Sequence, residues 1–229
     1  MHGILFDMDG TLLDIDLQSF LRRYFDALGT AAAEGFPGVQ IMPAILASTG
    51  AMQEVHPGRT NRDVFYEDFR TRTGIDLDEQ WPVFERFYTE VFPTLRGGEG
   101  PRAGARQAVE TALGLGMSVA IATNPIFPQI AQRTRLAWAG LEDLDLPIVT
   151  SYEDLHACKP NPAYFVETAA LIGVDPRDCV MVGDDRSLDL AAGDVGMRTY
   201  YVGPDPGARA DWSGDLVEFA ALLPRLAES

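Results

Sequence analysis

Two carboxylates separated by one residue close the first apolar run of the chain, Ile4-Leu5-Phe6-Asp7-Met8-Asp9-Gly10-Thr11-Leu12. Such a run reads as a buried strand. Residues two apart on a strand face the same way, so Asp7 and Asp9 are delivered together to one side of its carboxyl end. Acids held like this can attack an electrophile, exchange protons or help to hold a cation. A structural explanation competes, because Asp-Gly is a common turn pair and Asp9 or Thr11 could cap a helix. A second signal lies among the basic residues, where seventeen are arginine and one, Lys159, is lysine. Codon preference explains the scarcity but not the exception. A site that needs a compact, strongly hydrated point charge cannot accept the broad planar guanidinium, so Lys159 is a candidate for a required ammonium.

The elements that must carry these residues follow from hydrophobic period. From Ile15 to about Arg96 the pattern is helical. Asp16 can cap a helix with Leu17, Phe20, Leu21, Tyr24, Phe25 and Leu28 on one stripe, closing near Gly29. Residues 38–54 read as a helix pair or a bent helix interrupted by Pro43 and Gly50. Thr60 and Asp63 resemble a capping arrangement, and Asp78 and Glu79 open a helix bearing Trp81, Phe84, Phe87, Tyr88 and Val91. The block ends in the Gly-rich link Arg96-Gly97-Gly98-Glu99-Gly100-Pro101.

Beyond it, helix and strand alternate. Helices are expected over 102–115 and 126–138, from Asn161-Pro162, and over Ser187–Gly193. Strands are expected at Ser118–Thr123, Ile148–Ser151, Cys179–Gly183 and, last, Thr199–Val202. The implied class is α/β, a doubly wound parallel sheet with right-handed crossovers and an inserted all-helical unit.

Composition narrows the partners. A net charge of −16 over 229 residues opposes binding to nucleic acid or an anionic membrane. No apolar run approaches the length of a membrane span and no targeting segment is evident. Cys158 and Cys179 follow no metal or disulfide spacing, so free buried thiols in a reducing, cytoplasmic setting are expected. His2, His56 and His156 show no ligand spacing, and the tryptophans read as packing residues.

Placed on this scaffold, the polar residues fall into four clusters at strand carboxyl ends: Asp7 and Asp9; Thr123 and Asn124; Lys159; and Asp184, Asp185 and Asp189. In an open parallel sheet, ligands bind in the crevice outside that edge, so the clusters should converge there.

The four clusters resemble the motifs of the haloacid dehalogenase-like phosphatase superfamily: Asp7-Met8-Asp9-Gly10-Thr11 the first, Thr123-Asn124 the second, Lys159-Pro160 the third and Gly183-Asp184-Asp185 with Asp189 the fourth. Motif order, spacing and the helical insertion are similar to the subclass with a helical cap. The resemblance implies a Rossmann-like core over 1–14 and 97–229, a cap over 15–96, Mg²⁺ and a covalent aspartyl-phosphate. On that basis Asp7 would attack phosphorus, with Asp9 as acid and then base. Thr123 and the Asn124 backbone N–H would hold the phosphoryl oxygens beside Lys159. Asp7, the Asp9 carbonyl and Asp184 would be the ligands of Mg²⁺, with Asp189 reaching it through water or steadying Lys159. Asp185 divides evenly between metal support and capping. Gly10 supplies backbone freedom, and Gly97 and Gly98 are candidates for a hinge. His56, Arg59 and Asn61 lie in a Pro-Gly turn that could overhang the site.

The expected partner is a small phosphorylated metabolite. A phosphomutase of the β-phosphoglucomutase type remains the alternative within the fold, since it uses the same core residues. A dehalogenase has no need of Asp9 or the Asp184 cluster, and residues 15–96 contain no lysine for Schiff-base chemistry. From another class, a phospho-accepting receiver module also gathers acids, a hydroxyl and a lysine, but it usually carries no long helical insertion.

Overall fold

The structure is a computed structural model that describes residues 1–54, 56–205 and 207–228. Strand β1, Gly3–Phe6, is wholly buried and leads through the Asp7–Leu12 turn to the short β2, Leu13–Asp14. Four α-helices follow: α1 Leu17–Gly35, α2 Ile41–Ala51, α3 Asn61–Thr73 and α4 Leu77–Arg86. The last continues as a π-helical turn over Phe87–Val91 and a 3₁₀ turn over Phe92–Leu95. The chain returns along β3, Gly100–Pro101, antiparallel to β2. Thereafter come α5 Ala105–Gly114, β4 Ser118–Ile121, α6 Gln129–Trp138, β5 Ile148–Val149, α7 Pro162–Leu171, β6 Cys179–Gly183, β7 Arg198–Tyr201, β8 Trp212–Ser213 and α8 Leu216–Ala227.

The main sheet runs β5-β4-β1-β6-β7-β8, all parallel, with β1 between β4 and β6. Alternation along β1 sends Ile4 and Phe6 to one core and Leu5 to the other. The first core meets α5 and α8, and the second meets α7 through Tyr164, Phe165 and Ala169. Covering both faces is what a sheet of continuous apolar strands requires. No helix among the described residues is long and apolar enough to cross a membrane.

Several expectations change. Pro43 does not interrupt α2, because it lies in the first turn, where a missing N–H costs no helical hydrogen bond. Helix α1 runs past Gly29 to Gly35, carried by the strong helix formers Ala31 to Ala33. The helix expected at Ser187–Gly193 is instead a 3₁₀ turn over Leu190–Val195. It contains Gly193 and stops at Gly196, whose φ of +83° is left-handed. Thr199–Val202 is not the last strand: β8 adds an edge strand, and α8 follows with a capping box between Asp215 and Glu218.

Candidate active site

Parallel pairing brings the carboxyl ends of β1, β4 and β6 into one row, and the loops beyond them share a cleft of ≈ 250 Å³. All eight residues of the four sequence clusters line it: Asp7, Asp9, Thr123, Asn124, Lys159, Asp184, Asp185 and Asp189. Asp7 follows β1 directly, and its N–H bonds to Val182 O of β6 at 2.9 Å. Gly10 takes φ +78° in the turn after it. A Cβ there would overlap the Asp184 carboxylate, so this position requires glycine both for its backbone angle and for room. Thr11 is fully buried and donates to Asp184 Oδ1 at 3.1 Å, while Arg102 donates to the Gly10 carbonyl.

Lys159 is buried, with its Nζ 2.8 Å from Asp7 Oδ1 and 2.6 Å from Asp189 Oδ1. The other Asp189 oxygen accepts the Asp185 N–H at 2.9 Å. Burial alone would strip charge from Lys159, but Asp189 and Asp7 outweigh it and hold the ammonium above its usual range. Burial raises the Asp7 carboxyl against the pull of Lys159, with Asp184 adding to the rise. Burial and the neighbouring Asp189 raise Asp184. These opposed environments place a charged ammonium among reluctant acids.

One carboxylate oxygen from each of Asp7, Asp184 and Asp189 lies within 4.8 Å of the others. An all-oxygen set of crowded acids is what a hard divalent cation binds. Both Asp189 oxygens already serve Lys159 and the Asp185 N–H, so its evident work is to steady the ammonium. Asp185 Oδ1 accepts from the N–H groups of Ser187 and Leu188 at 2.7 and 2.9 Å, a capping turn.

Thr123 is buried, and its carbonyl accepts from Thr150 Oγ1 at 2.6 Å and from the Tyr164 hydroxyl at 2.9 Å. Asn124 reaches Lys159 through its side chain, with Oδ1 accepting the Lys159 N–H at 3.1 Å. The loops carrying the second and third clusters are thereby tied together.

His56, Arg59 and Asn61 do not overhang the cleft. Asn61 is buried and donates to the carbonyls of Pro125 and Ala157, both at 3.3 Å, which fastens the start of α3 to loops of the sheet. Arg59 pairs with the exposed Glu67, and His56 Nε2 contacts Ala51 O at 2.9 Å. The helical segment lines the cleft instead with Ile15, Leu17 and Leu21. The Gly97-Gly98 link is clamped on one side, where the Gly97 N–H and the Arg23 guanidinium both engage the Glu99 carboxylate.

Sequence reasoning missed Arg135. It is 1% exposed, lines the cleft from α6 and pairs with Asp9. Its Nη1 donates to Gln132 Oε1 at 2.9 Å, and Gln132 Nε2 reaches Asn124 O at 3.3 Å. The available signal was two polar residues, Gln132 and Arg135, at helical spacing on the inward face of Ala131 and Leu136.

A family model for the haloacid dehalogenase-like hydrolases matches residues 1–194. The chain belongs to that family and is a hydrolase. It is 27% identical over 234 residues to a phosphoglycolate phosphatase of Agrobacterium fabrum, covering 98% of this chain and 91% of the relative. Among solved structures, a haloacid dehalogenase-like phosphatase from Thermococcus onnurineus matches with a TM-score of 0.58 and 22% identity, over 99% of this chain and 97% of that one. A 2-haloacid dehalogenase from Pseudomonas syringae pv. Tomato DC3000 matches with a TM-score of 0.62 and 23% identity, over 98% and 99%. Likenesses of this kind establish the shared fold, and the chemistry must be argued from the residues.

Proposed function

We propose that the protein hydrolyses a small phosphomonoester through a phosphorylated Asp7, as a Mg²⁺-dependent phosphatase. The observation that carries the reading is the Lys159 ammonium lodged between Asp7 and Asp189 with Asp184 alongside. Five carboxylates line the cleft against two cations, Lys159 and Arg135, so a phosphate dianion would be repelled without further positive charge. Asp7, Asp184 and the Asp9 carbonyl are the groups that would hold Mg²⁺, which when bound would neutralise phosphoryl charge.

In this scheme an Asp7 oxygen forms a bond to phosphorus as the ester P–O bond breaks. Asp9 gives a proton to the departing oxygen, then takes one from the water that attacks phosphorus of the acyl phosphate, breaking its bond to the Asp7 oxygen and releasing inorganic phosphate. Lys159, the Thr123 hydroxyl and the Asn124 N–H hold the non-bridging oxygens, while Asp189 fixes Lys159. Residues 1–14 and 97–229 form the catalytic core, and 15–96 form a cap that excludes water during turnover. The substrate is a soluble metabolite, in keeping with the acidic surface, and the free thiols Cys158 and Cys179 suit the reducing cytoplasm. Asp9 and Asp184 argue against dehalogenation, which would use neither.

Hydrolysis of p-nitrophenyl phosphate with and without Mg²⁺ tests the reading. Turnover that depends on Mg²⁺ supports it. Stable phosphorylation by acetyl phosphate without turnover would instead indicate a receiver-like module, and phosphate returned to a second sugar hydroxyl would indicate a mutase.

A further inference from the structure

Arg135 is a buried charge with unfinished hydrogen bonding. Its guanidinium lies against the rings of Phe127 and Phe20, with centroids 5.1 and 5.8 Å away. Nη1 is engaged by Gln132, but Nε and Nη2 have no hydrogen-bond partner. Nη2 is paired with Asp9 Oδ2, whereas Asp9 Oδ1 has no hydrogen-bond partner. Packing does not explain the residue, because Met or Leu would fill that apolar corner without burying a charge. Burying an arginine whose Nε goes unused and whose charge is met only by Asp9 is costly unless an anion enters the cleft beside it.

Position indicates which part of the substrate that anion belongs to. Lys159 stands on the Asp7 and Asp189 side, where the phosphoryl group sits in the scheme above. Arg135 stands at Asp9, which faces the departing oxygen. Among the described residues lining the cleft these are the two cations, and the wall supplied by Ile15, Leu17 and Leu21 is apolar. A planar fork with Nε unpartnered and Nη2 held only by Asp9 suits a carboxylate or a second phosphoryl group.

We propose that Arg135 is a specificity residue that reads the leaving group: the substrate is a phosphomonoester whose alcohol portion carries a second anionic group within a few bonds of the ester oxygen. This rests on the phosphatase reading and adds the substrate class to it.

The test compares matched esters on the intact enzyme with Mg²⁺. Phosphoglycolate and ethyl phosphate differ by a carboxylate in place of a methyl group; propane-1,3-diol bisphosphate and propyl phosphate make the corresponding pair for a second phosphoryl group. The wild type should favour at least one charged member in kcat/KM by about 100-fold, and the pair that shows it identifies the anion. Arg135→Met should collapse that ratio to within about 3-fold of unity, and Arg135→Lys should retain part of it. A residue that merely held the structure together would lower both members of a pair alike. Turnover of ethyl and propyl phosphate with no wild-type preference overturns the inference and leaves the phosphatase reading intact, whether or not the variants fold. A preference that survives in a folded Arg135→Met also overturns it. Failure to hydrolyse any ester overturns the phosphatase reading, and this inference falls with it.

Discussion

The Lys159 ammonium lies 2.6 Å from the Asp189 carboxylate, and both side chains are almost completely buried. Asp7 is the second partner of the same ammonium, at 2.8 Å. A charge desolvated so thoroughly is held by its partners, so removing either side leaves an uncompensated group in the interior. Lys159→Met should lower stability by roughly 3 kcal/mol and Tm by roughly 10 °C, with turnover reduced on the order of 10³-fold. Asp189→Asn leaves Asp7 in place to hold the ammonium and should reduce turnover by about 10- to 100-fold. Thermal melting and steady-state kinetics on the two variants decide whether the larger loss follows the lysine.

Asp7→Asn should behave differently. It removes one charge from a crowded set of acids and keeps a group able to accept from Lys159, so Tm should stay within a few degrees. Mg²⁺-dependent hydrolysis should fall on the order of 10⁴-fold or more. Retained activity would refute Asp7 as the nucleophile.

The acid cluster gives stability a distinct dependence on pH. Asp7 and Asp184 are raised above 3.8, and Asp189 is raised to about 6, by burial first, against Lys159 and with Asp7 adding to the rise. An acid with a raised folded value binds its proton more tightly folded than unfolded. Its contribution to stability therefore declines as pH climbs from 3.8 to about 6 and stays low above that. A divalent cation should relieve this where the acids are ionised. At 100 times its dissociation constant, Mg²⁺ should stabilise by about 2.7 kcal/mol at pH 7.5 and raise Tm by roughly 5–10 °C. The effect should be smaller at pH 5, because Asp7 and Asp184 are both raised. Reading the difference with and without Mg²⁺ at each pH separates this from surface acids such as Asp175, lowered to about 2 by Arg177.

Glycines with equal backbone strain should differ in cost. Gly10 and Gly58 have φ of +78° and +74°, but a Cβ at Gly10 would meet the Asp184 carboxylate and one at Gly58 meets nothing within 4 Å. Gly58→Ala should cost about 1 kcal/mol with unchanged turnover. Gly10→Ala should cost about 3 kcal/mol and displace Asp184, with a clear loss of Mg²⁺-dependent activity. Equal melting temperatures for the two variants would show that the close approach to Asp184 is unimportant.

The link between helical segment and sheet offers another measurement. Gly97→Ala with Gly98→Ala should slow turnover several-fold, and more for bulky esters than for small ones, if opening of residues 15–96 passes through this point. Identical kcat for small and large esters would remove the hinge role. Gly98 is the informative half, because a Cβ there meets no neighbour within 4 Å, whereas at Gly97 it presses on Arg23 at 3.1 Å.

The strands and the polar residues at their ends were legible because each depends on short stretches: an apolar run, then an acid, a hydroxyl or an amide. Parallel pairing does the rest, which is why Asp7, Thr123, Lys159 and Asp184 meet in one cleft as the sequence suggested. Arg135 and Arg102 escaped notice because their meaning depends on residues far along the chain, Asp9 for one and Gly10 for the other. Helix α8 was not evident although Asp215 and Glu218 sign its start, because it lies beyond the strand–helix alternation that ends at Val202. The turn bearing His56 and Arg59 could not be placed from sequence for the opposite reason: its polar residues are conspicuous locally, but tertiary contacts direct Asn61 to carbonyls of the sheet loops and leave Arg59 with Glu67.

Strands β2 and β3 pair antiparallel, Leu13 with Pro101 and Asp14 with Gly100. Residues 15–99 therefore leave and rejoin the rest of the molecule through two backbones about 5 Å apart. A segment whose ends nearly touch can be exchanged for another of different length without shifting the register of β1 against β4 or β6. If the proposed core and cap hold, one floor accepts different roofs in this way, and substrate range diversifies by transplantation rather than by rebuilding the machinery beneath.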